Sequence, residues 1–346
     1  MNCSVLRLID ANANRAREAL RVLEDYTRFV LDSSELSEVL KTIRHDLAAA
    51  LKQVLPEAIL HRDTPNDVGR AISTRAEFKR DSLNDVIVAA GKRLGEALRS
   101  LEEYLKTIAP EDASRVEAIR YRSYDVELKL ARTLRPSTRF DAVRLYVLIT
   151  ESACRADWLA TAEAAILGGA DCLQLREKQL DSAEFLRRAR LLVNLCRSHQ
   201  VISIINDRPD IAILSGADGV HVGQEDFSAI EVRKLIGHEK IVGVSTHHIE
   251  HAKQAVLDGA DYIGVGPVFR SATKPREFVA GVEYAAEVAK TIRIPAVAIA
   301  GITGDNIKVV LATGLRAVAV TAAVVGCDNV EAATRRLKDE LTRHNT

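Results

Sequence analysis

The chain has 346 residues, more than one ordinary domain needs and about right for two, and 47% of them are hydrophobic, enough to bury a sizeable core. Lys plus Arg and Asp plus Glu each number 48, so the net charge is zero and bulk charge points to neither a nucleic-acid nor a membrane partner. The opening run MNCSVLRLIDANANRARE lacks an apolar signal-peptide core, and no apolar stretch is long enough to span a bilayer. The five cysteines, Cys3, Cys154, Cys172, Cys196 and Cys327, show neither CxxC nor zinc-ligand spacing. A cytoplasmic chain with reduced thiols is expected.

Residues 1–134 read as helix throughout, an all-α bundle dense in charge. Residues 18–26 are EALRVLEDY and residues 96–104 are EALRSLEEY, an internal repeat with seven of nine positions identical. The apolar seam repeats with it. Ile9, Ala13, Ala16, Leu20 and Leu23 space as Ile87, Gly91, Leu94, Leu98 and Leu101 do. A second echo pairs Ile43-Arg44-His45 with Ile119-Arg120-Tyr121. Two related helical hairpins with approximate two-fold symmetry follow from this. Arg21, Glu24, Arg99 and Glu102 hold equivalent places. They read either as i, i+3 ion pairs on solvated faces or as a polar site on the pseudo-two-fold axis. The joining run Arg62–Arg70 is rich in turn residues and reads as a plain loop or a ligand loop.

The grammar changes at about Val143, after a linker at Leu134-Arg135-Pro136-Ser137-Thr138, so residues 135–346 form the second domain. Eight short strands are expected at Val143–Ile149, Cys172–Leu175, Ile202–Ile205, Gly219–Val222, Ile241–Val244, Tyr262–Val265, Ala296–Ile299 and Ala317–Val320. Amphipathic stretches such as Ala183–Cys196 and Ala252–Leu257 lie between them. Eight such units predict a (β/α)8 TIM barrel rather than an open sheet. Gly-Ala-Asp steps at 169–171, 216–218 and 259–261 read as structural joints between a helix end and the next strand.

A barrel carries its chemistry at the C-terminal ends of its strands. There the sequence places Gln174, Arg176 and Lys178 after strand two, Asn206 and Asp207 after strand three, and Asp226 after strand four. Strand five ends in Ser245, and the loop after strand six carries Ser271, Thr273 and Lys274. Gly301, Val320 and Thr321 close strands seven and eight. Singly, each is an ordinary cap, turn or solvated side chain; together they line one rim. Arg176, Lys178 and Lys274 suit a multiply charged phosphate ester. Asp207 and Asp226 offer hard oxygens suited to Mg2+. Gly301 and the Val320-Thr321 turn suit a monophosphate. A metal-bound diphosphate on one side and a monophosphate on the other fit a transfer that expels pyrophosphate.

Taken in order, Gln174-Leu175-Arg176-Glu177-Lys178, Asn206-Asp207-Arg208, the run Gly216–Asp226, Gly243-Val244-Ser245 and the Gly264–Lys274 loop resemble the thiamine phosphate synthase signatures, over about residues 141–340. The resemblance implies loss of pyrophosphate to give a pyrimidine methyl cation, which the thiazole nitrogen captures. It assigns Gln174, Arg176, Lys178, Asn206, Ser245 and Lys274 to the pyrimidine diphosphate. Ser271, Thr273, Gly301, Val320 and Thr321 go to the thiazole phosphate, and Asp207 and Asp226 to magnesium. This chain has Ala300-Gly301 where the family commonly has Gly-Gly, and Thr321 where it commonly has Ser. The helical part resembles the extension ahead of some synthases, for which a pyrimidine phosphate kinase activity is proposed; no GxxxxGK[ST] loop is present here. The alternatives are a thiazole tautomerase of the same barrel family and a sensor of thiazole or thiamine phosphate. Partners are expected to be small molecules, and a homo-oligomer is left open.

Overall fold

A computed structural model of the chain describes residues 3–31, 33–68, 80, 82–134, 139–237, 239–270 and 278–343. The chain divides into two compact units, Met1–Leu134 and Arg135–Thr346. Among the described residues no helix is long and apolar enough to cross a membrane, and all five cysteines are free.

The first unit contains α1 (Cys3–Phe29), α2 (Ser34–Ala50), a single turn α3 (Leu55–Ala58), α4 (Leu83–Leu105) and α5 (Pro110–Thr133). Starts are written locally. Ser33 Oγ accepts the Leu36 N–H to cap α2, and Ser82 with Asp85 closes a reciprocal capping box on α4. The seam of α1 and the equivalent seam of α4 are buried along their length, and these two helices share the unit's largest helix–helix interface.

The i, i+3 ion pairs do form, Arg21–Glu24 at 3.7 Å and Arg99–Glu102 at 2.8 Å, but not on solvated faces. Glu24 and Glu102 are buried, and each is also held by an arginine of the next long helix, Arg44 at 3.1 Å and Arg120 at 2.8 Å. The second echo of the repeat thus supplies the partner for the first. The offset that relates Arg44 to Arg120 also relates Asp46 to Arg122, and these two meet at 2.6 Å, so the pseudo-two-fold axis passes between them. The front of the joining run is stapled down, because Arg62 forks onto buried Asp10 with both contacts at 2.7 Å. Gly69 and Arg70 of that run, and linker residues 135–138, lie outside the described residues.

The second unit is a closed eight-stranded parallel barrel, strands in chain order. Its strands are β1 (Leu145–Ile149), β2 (Cys172–Leu175), β3 (Ile202–Asn206), β4 (Gly219–Val222), β5 (Ile241–Thr246), β6 (Tyr262–Val265), β7 (Ala296–Ile299) and β8 (Ala317–Val320). The surrounding helices are α6 (Trp158–Leu167), α7 (Ser182–Ser198), α8 (Pro209–Ser215), α9 (Ala229–Ile236) and α10 (Ile249–Leu257). They continue with α11 (Gly281–Thr291), α12 (Ile307–Leu311), α13 (Ala322–Val325) and α14 (Val330–Arg343).

Alternation along the strands sorts the two cores. Leu145, Val147, Ile149, Val318 and Val320 join the layer between strands and helices, whereas Tyr146, Leu148, Cys172, Ile204 and Tyr262 fill the barrel. The Gly-Ala-Asp steps act at the opposite end from the mouth. Asp171 accepts the Leu145 N–H, Asp218 the Ser203 N–H and Asp261 the Val242 N–H, all at 2.8 Å, tying strand starts together.

Candidate active site

The inward phase of each strand decides which side chains reach the mouth. On β2 that phase is Cys172 and Gln174, with Arg176 following; on β3 it ends at Asn206; on β5 it runs Ile241, Gly243, Ser245. Gln174 and Asn206 are buried, and Arg176 and Ser245 are half-buried.

At the ends of β3 and β4 three charges converge. Lys178 Nζ lies 3.3 Å from Asp207 Oδ2. Asp207 has φ +61°, a left-handed conformation that Asp tolerates better than most residues, and its N–H donates to the His221 carbonyl at 2.8 Å. Asp226 Oδ2 accepts the Gly223 N–H at 2.7 Å. Burial raises the Asp226 carboxyl above the usual aspartate range, and the neighbouring Asp207 raises it further, against Gly223 and Lys178. Asp207 and Asp226 thus bring hard carboxylate oxygens together at one point of the mouth. Magnesium needs only one or two protein carboxylates, so the pair fits it.

Sequence reasoning missed a hydrogen-bonded chain through the barrel. Gln174 Nε2 donates to Tyr146 Oη at 2.6 Å, and Tyr146 Oη lies 3.1 Å from Tyr262 Oη. Tyr262 Oη is 2.9 Å from His221 Nδ1, and His221 Nε2 is 2.9 Å from Ser245 Oγ. Beneath it, Phe140 stacks on Tyr262 with ring centroids 3.8 Å apart. Burial pushes both tyrosine hydroxyls well above their usual range. The signal for this chain was the polar tip of each inward residue, which reads as packing when strands are taken one at a time.

At strands seven and eight, Ala300 and Gly301 both have positive φ, +81° and +65°. A Cβ on Gly301 would stand 2.4 Å from the Arg270 carbonyl oxygen, so the turn needs glycine there. Val320 faces the helices, which leaves only its backbone to a ligand, and Thr321 is half-buried at the start of α13. Ser271, Thr273 and Lys274 lie outside the described residues.

Residues 145–324 match a family profile described as thiamine monophosphate synthase, and residues 7–129 match the ThiD2 family. A thiamine-phosphate synthase of Rhodopirellula baltica is 42% identical over 353 residues, covering 98% of this chain and 93% of that protein. One from Synechocystis sp. is 38% identical over 342 residues, covering 99% of this chain and 98% of that protein. Among solved structures, a thiamine phosphate pyrophosphorylase from Pyrococcus furiosus is similar with a TM-score of 0.55 and 32% identity, covering 59% of this chain and 98% of that one.

Proposed function

The chain belongs to the thiamine-phosphate synthase family, and on that premise we propose that its barrel mouth joins 4-amino-2-methyl-5-(diphosphooxymethyl)pyrimidine to 4-methyl-5-(2-phosphoethyl)thiazole. The products are thiamine phosphate and pyrophosphate. The observation that carries this reading is the meeting of Lys178, Asp207 and Asp226 at the ends of β3 and β4.

The bond from the pyrimidine methylene carbon to oxygen breaks, and its electron pair leaves with pyrophosphate. The thiazole nitrogen then gives its lone pair to the methylene carbon. No proton is removed from that nitrogen, so no general base is required. Asp207 and Asp226 would hold Mg2+, which when bound supplies positive charge to the diphosphate oxygens. Arg176, Lys178 and Lys274 add side-chain charge where pyrophosphate develops. Gln174 and Asn206 orient the pyrimidine by hydrogen bonds, and Ser245 lies at the reacting diphosphate. Gly301, the Val320 backbone and Thr321 take the thiazole phosphate, with Ser271 and Thr273 on the thiazole side.

The test is to mix both substrates with the full chain, with and without Mg2+, and to measure pyrophosphate and thiamine phosphate together. Equal, magnesium-dependent release of both is expected. Conversion of a thiazole substrate with no pyrophosphate would mark a tautomerase instead, and binding without turnover a sensor.

A further inference from the structure

The chain from Gln174 to Ser245 has a direction. An amide Nε2 only donates, so Tyr146 Oη accepts at that contact. Each phenol has one proton, and burial keeps it there. Of the two acceptors in its reach, the Tyr262 hydroxyl is stronger than the Cys172 thiol, so Tyr146 passes its proton towards Tyr262. Tyr262, accepting from Tyr146, passes its proton to His221 Nδ1. A neutral imidazole that accepts at Nδ1 carries its proton on Nε2. That proton goes to Ser245 Oγ. The Ser245 hydroxyl is left with its own proton to give. Gln174, Tyr146 and Tyr262 are no more than 3% exposed, so water does not compete for these links.

We propose that this relay of donors fixes the Ser245 hydroxyl as a hydrogen-bond donor towards the mouth, with Tyr146, Tyr262 and His221 as positioning residues that act through it. A donor so fixed suits an anionic oxygen. On the synthase reading, on which this last identification rests, that oxygen belongs to the departing pyrophosphate.

The sequence makes room for the relay at two glycines. A Cβ on Gly243 would stand 2.1 Å from Tyr262 Cζ and 2.4 Å from its hydroxyl. A Cβ on Gly264 would stand 3.3 Å from His221 Cε1. Both glycines belong to the inward phase of their strands, and each leaves the volume that a neighbouring ring occupies.

The experiment is 15N NMR of histidine-labelled full-length protein, without substrates and at a pH where the ring is neutral. The His221→Gln spectrum identifies the His221 signals. The expected result is the Nε2–H tautomer; an Nδ1–H tautomer overturns the proposal. Tyr262→Phe removes the proton that holds Nδ1. Its His221 should lose that tautomer preference, and kcat should fall about tenfold with the pyrimidine diphosphate KM within about threefold. Added to Ser245→Ala, Tyr262→Phe should cost nothing more, because both break one relay. Full additivity of the two losses overturns the proposal. The tautomer is read whether or not the protein turns over. An inactive wild type therefore sinks the synthase reading alone, and an Nδ1–H tautomer sinks the relay alone.

Discussion

The Lys178 ammonium lies 3.3 Å from the Asp207 carboxylate, so one side chain assigned to the leaving group pairs with one assigned to the metal. The two roles pull a substitution in opposite directions. Lys178→Ala should bind Mg2+ at least as tightly as the wild type in the substrate-free protein, because a competing cation is gone. Its turnover should fall about 10- to 100-fold, because charge is lost where pyrophosphate develops. Metal titration beside steady-state kinetics checks the pair. A parallel loss of metal affinity and turnover would mean that Lys178 merely holds Asp207 in place.

Asp207→Asn and Asp226→Asn should each lower turnover by more than about 100-fold while thermal unfolding stays cooperative. Asp226 is held partly by the Gly223 N–H, a contact that asparagine keeps. Asp207 contributes to the raised Asp226 carboxyl, so Asp207→Asn should let Asp226 ionise at lower pH. The sign for stability follows. A raised carboxyl favours the folded state below its ordinary value and loses that contribution as pH rises through the folded value. Relieving it should make the magnesium-free Asp207→Asn protein more stable than wild type near neutral pH, and calorimetry across pH reads this directly.

Much of the barrel was written locally. Gly-Ala-Asp steps and β-branched runs fix strand positions through contacts between neighbouring units, and most strand limits follow from them. The first strand starts later than expected, at Leu145 rather than Val143. Val143 instead donates its N–H to the Phe140 carbonyl at 3.0 Å, in a turn that seats Phe140 beneath the tyrosines. That seat depends on Tyr262, far along the chain, which no local window contains. β3 and β5 run on to Asn206 and Thr246 because His221 and Val265 pair with those residues. The charged rim was legible because its side chains are unusual at strand ends. The relay was not, since Tyr146 and Tyr262 look like ordinary barrel filling until both hydroxyls are placed. The choice between solvated pairs and a buried polar site at Glu24 and Glu102 stayed open in the sequence for the same reason. Their partners Arg44 and Arg120 sit on the next long helix.

The barrel without the helical unit should keep synthase activity. Every proposed site residue lies beyond Val143, and the similar Pyrococcus furiosus protein is matched over 98% of its length by only 59% of this chain. Residues 137–346, expressed alone, should fold cooperatively and show kcat within about threefold of the full chain. A folded but inactive barrel that recovers when residues 1–134 are added would require the helical unit to complete the site.

Glu102 anchors the helical unit. It is 1% exposed and takes Arg120, Arg99 and Lys106 within 3.1 Å. Burial raises its carboxyl, but hydrogen bonds from Arg120 and Lys106, with the charges of Arg120 and Arg99, leave it lowered overall. Glu102→Gln leaves the buried Arg120 charge with only the longer 3.9 Å contact to Glu117, and should cost about 3 kcal/mol of that unit's stability. The wild-type contribution is fully present above the ordinary glutamate value and is lost as pH falls through the lower folded value. The stability gap between wild type and Glu102→Gln should therefore close in acid. A gap that stays constant with pH would mean that packing, not charge, makes the difference. Glu24→Gln, with its longer contacts of 3.1 and 3.7 Å, should cost less.

Gly243 sets the last prediction, because its missing side chain is where the Tyr262 phenol lies. An added methyl would meet Tyr262 Cζ at 2.1 Å, and the ring cannot retreat easily: it is fully buried and stacked on Phe140. Gly243→Ala should cost about 1–3 kcal/mol through overpacking and shift Tyr262 out of reach of His221. Turnover should then fall with it. Shape alone can be separated from the relay by a second change. Gly243→Ala with Tyr262→Leu gives the methyl its space, and should recover much of the lost thermal stability. It should not recover turnover, since no hydroxyl is left to hold His221 Nδ1. Recovery of both would mean that the Tyr262 side chain serves the barrel only as filling. Recovery of stability alone is the outcome expected if its hydroxyl serves Ser245.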